Sequence, residues 1–312
     1  MSRFPYRAVT LVSRGNSMRL RSFLRIFAVC GLLASLFATA TPGSAAGTST
    51  IQTGVVTFSQ ANATTWYPVT FDESFDVVPV VVMGPISFNG SHPAVMRVRN
   101  VTTTGFEYQL DEWDYLDAGH TGETVSWVAA TPGQHDLRKM TAFATTVVLD
   151  HQWQTVSLAG FDAPPVVFGS VGSDNDPSAA AIRMRNVTAT SVELRIQEEE
   201  AYDKVGQPRD AAETVQVMAF SEGSTTEDGL ALVVGKTTDS VTHSWHTVNT
   251  RSRGVTGVLA DMQTFDGGDT AGIRYRNLGD TGVDVRVEEE KSQNSETSHT
   301  TEVVGWMLIT SW

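Results

Sequence analysis

The stretch Ile182–Glu200 reads IRMRNVTATSVELRIQEEE. Two short runs alternate apolar and polar residues, and an Asn-Val-Thr-Ala-Thr joint lies between them. A period of two is the pattern of a half-buried strand, and the joint is turn chemistry, so the stretch reads as a β-hairpin. The chain writes this hairpin three times. Met96–Asp114 reads MRVRNVTTTGFEYQLDEWD, and Ile273–Lys291 reads IRYRNLGDTGVDVRVEEEK.

Other motifs recur at matching offsets around the hairpin. Upstream, Trp66, Trp153 and Trp245 are each followed three residues later by a valine. FDVVPVVV (Phe75–Val82) and FDAPPVVF (Phe161–Phe168) come next, and the third copy is worn to RGVTGVL. Downstream come ETVSWVA, ETVQVMA and EVVGWML. Self-similarity at a fixed period is the mark of a repeat protein. The repeats are assigned to residues 47–131, 139–223 and 229–312, with TPGQHDLRK and SEGSTTEDG read as linkers. No helical period runs through any of them. The expected fold is all-β, three tandem antiparallel β-sandwiches.

Residues 1–46 stand apart. They hold six arginines and no acid, then an apolar run ending in TPGSAAG. This is the pattern of a secretory signal peptide. The run is too short for a membrane span, and the protein is expected outside the cell. Cys30 lies in this leader, so the remainder has no cysteine and must rely on its core. Removing the leader's six arginines from 22 basic residues leaves 16 against 35 acidic ones, a net of −19. That balance argues against a nucleic-acid partner, which needs basic surface, and reads as a solubility device that also suits salty surroundings.

Alternation places the charged residues. In the third copy Val283, Val285, Val287 and Glu289 share one face of a strand, and Glu302, Val304 and Trp306 share one face of the last strand. Each copy thus ends one apolar face with a glutamate and begins another with one. Paired across a hairpin, Glu112/Glu123, Glu198/Glu213 and Glu289/Glu302 are expected to lie close together. Neighbouring carboxylates need a proton, a cation or a basic side chain between them. Four readings stay open: bonds that cap the fold, Ca²⁺, sugar hydroxyls, or an acid/base pair. Ca²⁺ is the cofactor such an oxygen set would take; no other cofactor and no metal ligand set is assigned. His120 and His299 recur, but the second copy has Asp210 there. His-x-x-Glu on a regular strand points its side chains to opposite faces, so the two converge only if the histidine is still in the loop. An acid eight residues after Arg99, Arg185 and Arg276 predicts cross-strand ion pairs with Glu107, Glu193 and Asp284. A contact between units is the alternative role for the outward arginine face, which carries Arg97 and Arg99.

These motifs resemble the H-type lectin domain, the sandwich of snail agglutinins and of the C-terminal part of discoidins. The likeness is carried by TGVVTFSQANATTWYPVTFDESFDVVPVVV, RVRNVTTTGF, EWD and VSWVA in the first copy. It covers most of the second copy and the second half of the third. The resemblance implies glycan partners, held near the boundary between protomers of a trimer. Three linked copies then suggest an internal pseudo-trimer. The family's aromatic position falls on Trp113, Glu199 and Glu290, its histidine on Asp114, Glu200 and Lys291, and its sugar-binding arginine on Pro93, Ala179 and Thr270. Carbohydrate-binding candidates are therefore Trp113 and Tyr115 as exposed loop aromatics, with Asp114 and His120. The polar loops add Asn89, His92, Asp174, Asp176, Asp266 and Asp269, residues that turns also use.

Three functions follow: a secreted, non-catalytic lectin-like protein with three modules, as in adhesion; an extracellular enzyme on polysaccharides; or a structural surface protein. No nucleophile motif, phosphate loop or full metal set supports the enzyme, and no catalytic residue is assigned.

Overall fold

The three hairpins form where the alternation places them. Ala94–Thr102 pairs antiparallel with Gly105–Glu112, Ala181–Arg185 with Ser191–Gln197, and Ala271–Gly279 with Gly282–Glu289. The computed structural model describes residues 50–203, 211–227 and 229–311. The leader read over residues 1–46 lies outside them.

One asparagine sets each turn. Asn100, Asn186 and Asn277 have φ of 49°, 52° and 53°. That is the left-handed region, which asparagine tolerates better than most L-residues. Its amide donates to an acid on the partner strand: Glu107 at 2.8 Å, Glu193 at 2.9 Å and Asp284 at 2.8 Å. The preceding arginine reaches the same carboxylate, Arg99–Glu107 at 2.9 Å, Arg185–Glu193 at 2.6 Å and Arg276–Asp284 at 3.3 Å. The expected cross-strand pairs are present in all three hairpins.

Each hairpin gains a third strand, Tyr67–Thr70, Gln154–Ser157 or His246–Asn249. A second sheet lies opposite, centred on the last strand of each segment. His120–Ala130 runs between Ile51–Gln60 and Val80–Met83, Glu213–Phe220 between Met140–Leu149 and Val166–Val171, and Val304–Thr310 between Leu230–Lys236 and Val255–Met262.

The last strands are apolar on both faces. One face enters the local core: Val125, Trp127 and Ala129 pack with Val98, Phe106 and Leu110. Val215, Val217 and Ala219 pack with Met184, Val192 and Leu194, and Val304 and Leu308 with Val283, Val285 and Val287. The other face carries Val128, Ala130, Met218, Phe220, Met307 and Ile309, which meet in a fourth core with Val80, Val82, Val166, Phe168, Leu232 and Leu259. This core draws on all three segments. A strand covered on both sides needs no polar face, which accounts for the unbroken apolar ends of ETVSWVA, ETVQVMA and EVVGWML. Each fully buried Val, Leu, Ile, Phe or Met contributes about 1.5–3 kcal/mol, so the shared core stabilises the chain substantially.

Strand pairing also crosses segments. Arg97 of the first lies opposite Val171 of the second in parallel register, and Arg274 of the third lies opposite Ile86 of the first. Residues Gly47–Trp312 form one compact unit. One expectation needs correction. The stretches read as linkers are strands: Gly133–Leu137 and Gly223–Glu227 fold back on Met140–Leu149 and Leu230–Lys236. A single helical turn, Glu200–Asp203, interrupts an otherwise all-β chain. No helix among the described residues is long and apolar enough to cross a membrane.

Candidate functional site

The hairpin mouths bring the predicted carboxylates together, with a histidine between them. His120 Nδ1 lies 2.6 Å from Glu112 and its Nε2 3.1 Å from Glu123. The third segment repeats this, with His299 at 2.6 Å from Glu289 and 3.1 Å from Glu302. His-x-x-Glu converges for two local reasons. Opposite His120 the partner strand slips, so that Phe58 faces Glu123 and Gln60 faces His120. The extra residue turns both side chains to one side, as a β-bulge does. His299 precedes its strand Val304–Thr310, as convergence requires. In the second segment Glu198 and Glu213 are both buried; Asp210, the residue in the histidine's place, lies outside the described residues.

The second glutamate of each pair closes a loop. Glu123 accepts from the Ser87 hydroxyl, the Asn89 amide at 3.1 Å and the Gly90 amide at 2.7 Å. Glu213 accepts from Ser173 and from the Asn175 and Asp176 amides at 2.9 and 2.7 Å. Glu302 accepts from Thr264 and from the Asp266 and Gly267 amides at 3.0 and 3.1 Å. Burial works against a charged Glu123, but His120, Ser87, Gly90 and Arg274 outweigh it and hold the carboxyl below its ordinary range. Burial likewise opposes a charged His120, and its bonds to Glu123 and Glu112 raise it above the usual imidazole value. The first and third mouths are thus charge-assisted networks built on a histidine between two glutamates.

An arginine from another segment enters each of these loops. Arg97, Arg183 and Arg274 are only 2%, 0% and 1% exposed. Arg97 of the first segment donates to the carbonyls of Asp176 and Ser178 in the second and lies 3.7 Å from Glu213. Arg183 of the second donates to Gly267 and Asp269 carbonyls at 2.8 and 2.6 Å in the third and lies 3.7 Å from Glu302. Arg274 of the third donates to Ser87, Gly90 and His92 carbonyls at 2.6, 3.0 and 2.9 Å in the first, and to Glu123 at 3.0 Å. Sequence reasoning left open whether this face was solvated or an inter-unit contact; it is a contact.

Half-buried tryptophans line the same seams. Arg99 stacks over Trp66 at 3.8 Å, Arg185 over Trp153 at 4.2 Å and Arg276 over Trp245 at 4.3 Å. Trp153 meets Phe265 and Trp245 meets Phe88, edge to face. The first seam has Asp174 in the phenylalanine's place, and Arg99 pairs with it at 2.9 Å.

Trp113 corrects an expectation. It is 1% exposed and packs against Ala179 and Ala181 of the second segment, so neither ring face is open to stack on a sugar. One of these, Ala179, is the position to which the resemblance would assign a sugar-binding arginine, and the small residue leaves room for the indole. His120 is equally enclosed, at 4%. Asp114 and Tyr115 remain accessible. The Tyr115 amide donates to Glu199 at 3.3 Å and its hydroxyl accepts from the Lys291 amide at 2.8 Å, while the Glu200 amide donates to Glu290 at 2.8 Å. One residue group from each segment therefore meets here. Burial, then Asp114, pushes Glu199 up to about 7. Asn89, Asp174 and Asp266 are exposed, and His92, Asp176 and Asp269 half-buried. Asp174 is tied to Arg97 and Arg99, and the Asp176 carboxylate accepts from the Ser178 amide at 2.9 Å.

Comparison with known proteins adds to this geometry. Residues 66–130 match the H-type lectin domain, which points to carbohydrate binding. The matched span runs from the stacked Trp66 through the first hairpin and its mouth to the shared core at Ala130. The chain is also similar to Halomucin of Haloquadratum walsbyi (strain DSM 16790 / HBSQ001), 28% identical over 263 residues. Those residues are 81% of this chain and 3% of Halomucin, so the chain spans a small fraction of that relative. No solved structure matches the chain.

Proposed function

We propose that the chain is a secreted, non-catalytic carbohydrate-binding protein whose three repeated modules close into an internal pseudo-trimer. The lectin-domain match over residues 66–130 carries the carbohydrate reading. The ring is supported by three arginines that run first to second, second to third and third to first, and by one apolar core fed by all three modules. The open rim at Asp114 and Tyr115 is the sugar-contacting part. A tyrosine there offers an apolar face beside carboxylate acceptors for hydroxyls, the usual composition of a small-ligand site. Three modules on one chain would raise avidity on clustered glycans by mass action alone.

The test is a glycan array probed with the full chain. Binding to a defined sugar class is expected, with a loss of at least roughly tenfold, or 1.4 kcal/mol, on Asp114→Ala/Tyr115→Ala. An array without signal, or one on which the double variant binds as well as the parent, would overturn the reading.

A further inference from the structure

We propose that the mouth of the third hairpin binds a hard divalent cation of the calcium type through Asp269, Glu289 and Glu296. The three residues each offer one carboxylate oxygen, and these oxygens lie within 4.8 Å of one another. Asp269 comes from the loop that leads into Ala271–Gly279, Glu289 ends the strand Gly282–Glu289, and Glu296 sits in the hairpin loop. A single ion bound at ordinary Ca²⁺–oxygen distances spans such a set.

Independent support comes from Glu289 itself. The residue is 3% exposed. Its Oε1 is bonded to His299, and its Oε2 is buried without a hydrogen-bond partner among the described residues. Buried carboxylate oxygens are ordinarily satisfied, and an exception needs a missing partner.

The first repeat shows what that partner replaces. Counted back from Arg274 and Arg97, Asp269 corresponds to His92; counted back from Glu302 and Glu123, Glu296 corresponds to Asp117; and Glu289 corresponds to Glu112. There His92 Nδ1 lies 3.2 and 3.4 Å from the two oxygens of Glu112 and 3.9 Å from Asp117. The first corner therefore carries its own nitrogen between the two acids. The third corner has exchanged that imidazole for a third carboxylate, removing a donor and adding a negative charge. Three acids gathered at one corner, one of them with a buried and unpaired oxygen, call for a cation from solution.

The donor set selects its class. Both nitrogens of His299 are engaged by Glu289 and Glu302, and the three clustered ligands are all carboxylates, a set that suits calcium and not zinc. Asp269 is half-buried and Glu296 exposed, which leaves room for waters to complete the shell. Glu289 also lines an open cavity of about 200 Å³ together with His243, Glu288, Lys291 and Thr297, which gives solvent access. Arg286 on the same wall is bonded to Glu288 at 2.6 Å. Three protein carboxylates place the affinity near that of extracellular calcium modules, about 10⁻⁴–10⁻³ M.

The test uses the full chain, freed of metal with a chelator, in calorimetric titration and thermal melts with CaCl₂. One Ca²⁺ per chain is expected, with the melting midpoint at 10 mM Ca²⁺ raised by roughly 3–10 °C. Asp269→His, which copies the first corner, should abolish both signals without lowering the calcium-free midpoint, and Asp269→Asn should weaken binding at least about tenfold. Asp117→Asn should leave both signals unchanged. No heat and no shift at 10 mM Ca²⁺, a response that survives both Asp269 variants, a response lost in Asp117→Asn, or stoichiometric binding of Zn²⁺ without Ca²⁺ would each overturn the assignment.

Discussion

Replacing Arg274 with methionine removes the contact that ties the third segment to the first. The stem volume is largely kept and only the guanidinium is lost. That group donates to the carbonyls of Ser87, Gly90 and His92 and pairs with Glu123 at 3.0 Å and Glu288 at 2.6 Å, in a site where the residue is 1% exposed. Removing one partner of a buried ion pair costs about 3–5 kcal/mol, because the other charge stays buried. Glu123 keeps its bonds to Ser87, Asn89, Gly90 and His120, which puts the loss near the lower bound, about 3 kcal/mol. For a unit of this size 1 kcal/mol moves the melting midpoint by about 2–4 °C, so a fall of about 6–12 °C is expected. Scanning calorimetry of parent, Arg274→Met, Glu123→Gln and the double variant measures it. The two losses should be non-additive by at least about 1 kcal/mol, as for residues in one network. A single variant melting within about 2 °C of the parent, or strictly additive losses, would refute the closing role of this arginine.

Other outcomes follow from the same geometry. Trp113→Ala should destabilise by about 3–5 kcal/mol through the cavity it leaves against Ala179 and Ala181, read by urea unfolding. Asn186→Ala should cost about 1–2 kcal/mol, since alanine must adopt the left-handed turn and the bond to Glu193 is lost; the same measurement checks it. Stability should fall as pH rises from 6 to 9. His120 is held above its ordinary value, so its contribution is complete below the unfolded-state pKa and is lost as pH rises through the folded one. Glu199, pushed up to about 7, works in the same direction over the lower part of that range, because the unfolded chain ionises it first. Melting curves of His120→Gln across this range should show a flatter profile than the parent.

The hairpins were legible because alternation, turn chemistry and repetition agreed, and Arg99–Glu107 and its two counterparts followed from spacing alone. The closeness of Glu112 to Glu123 and of Glu289 to Glu302 was legible for the same reason. Strand periodicity let the histidine converge with its glutamate only from a loop, which holds for His299; His120 converges from a strand, through a bulge that is invisible to that rule. A signal for it did exist. Gly90 and Gly267 accompany His120 and His299, whereas the copy without the histidine has Asp176 there. The rings press on these glycines, and an added Cβ would come within 2.5 and 2.3 Å of them. The shared core was signalled by last strands apolar on both faces, a pattern a two-layer sandwich does not need. Trp113 was misplaced because a loop aromatic reads as exposed when the surface covering it, Ala179 and Ala181, belongs to another segment far along the chain. The covariation at the seams is subtle in the same way: Phe88 and Phe265 occur with Arg286 and Arg195, and Asp174 with Gln109.

Small-angle scattering of residues 47–312 in solution tests the proposed closed arrangement of the three segments most directly. A ring of the 266 residues from Gly47 to Trp312 should give a radius of gyration of about 18 Å, the value for a compact domain of that length. Three independent modules strung end to end would give about 26 Å, from a compact radius of about 12 Å each and centres about 28 Å apart. A value near the first, unchanged on dilution, is the predicted result, and one near the second would contradict the closed pseudo-trimer.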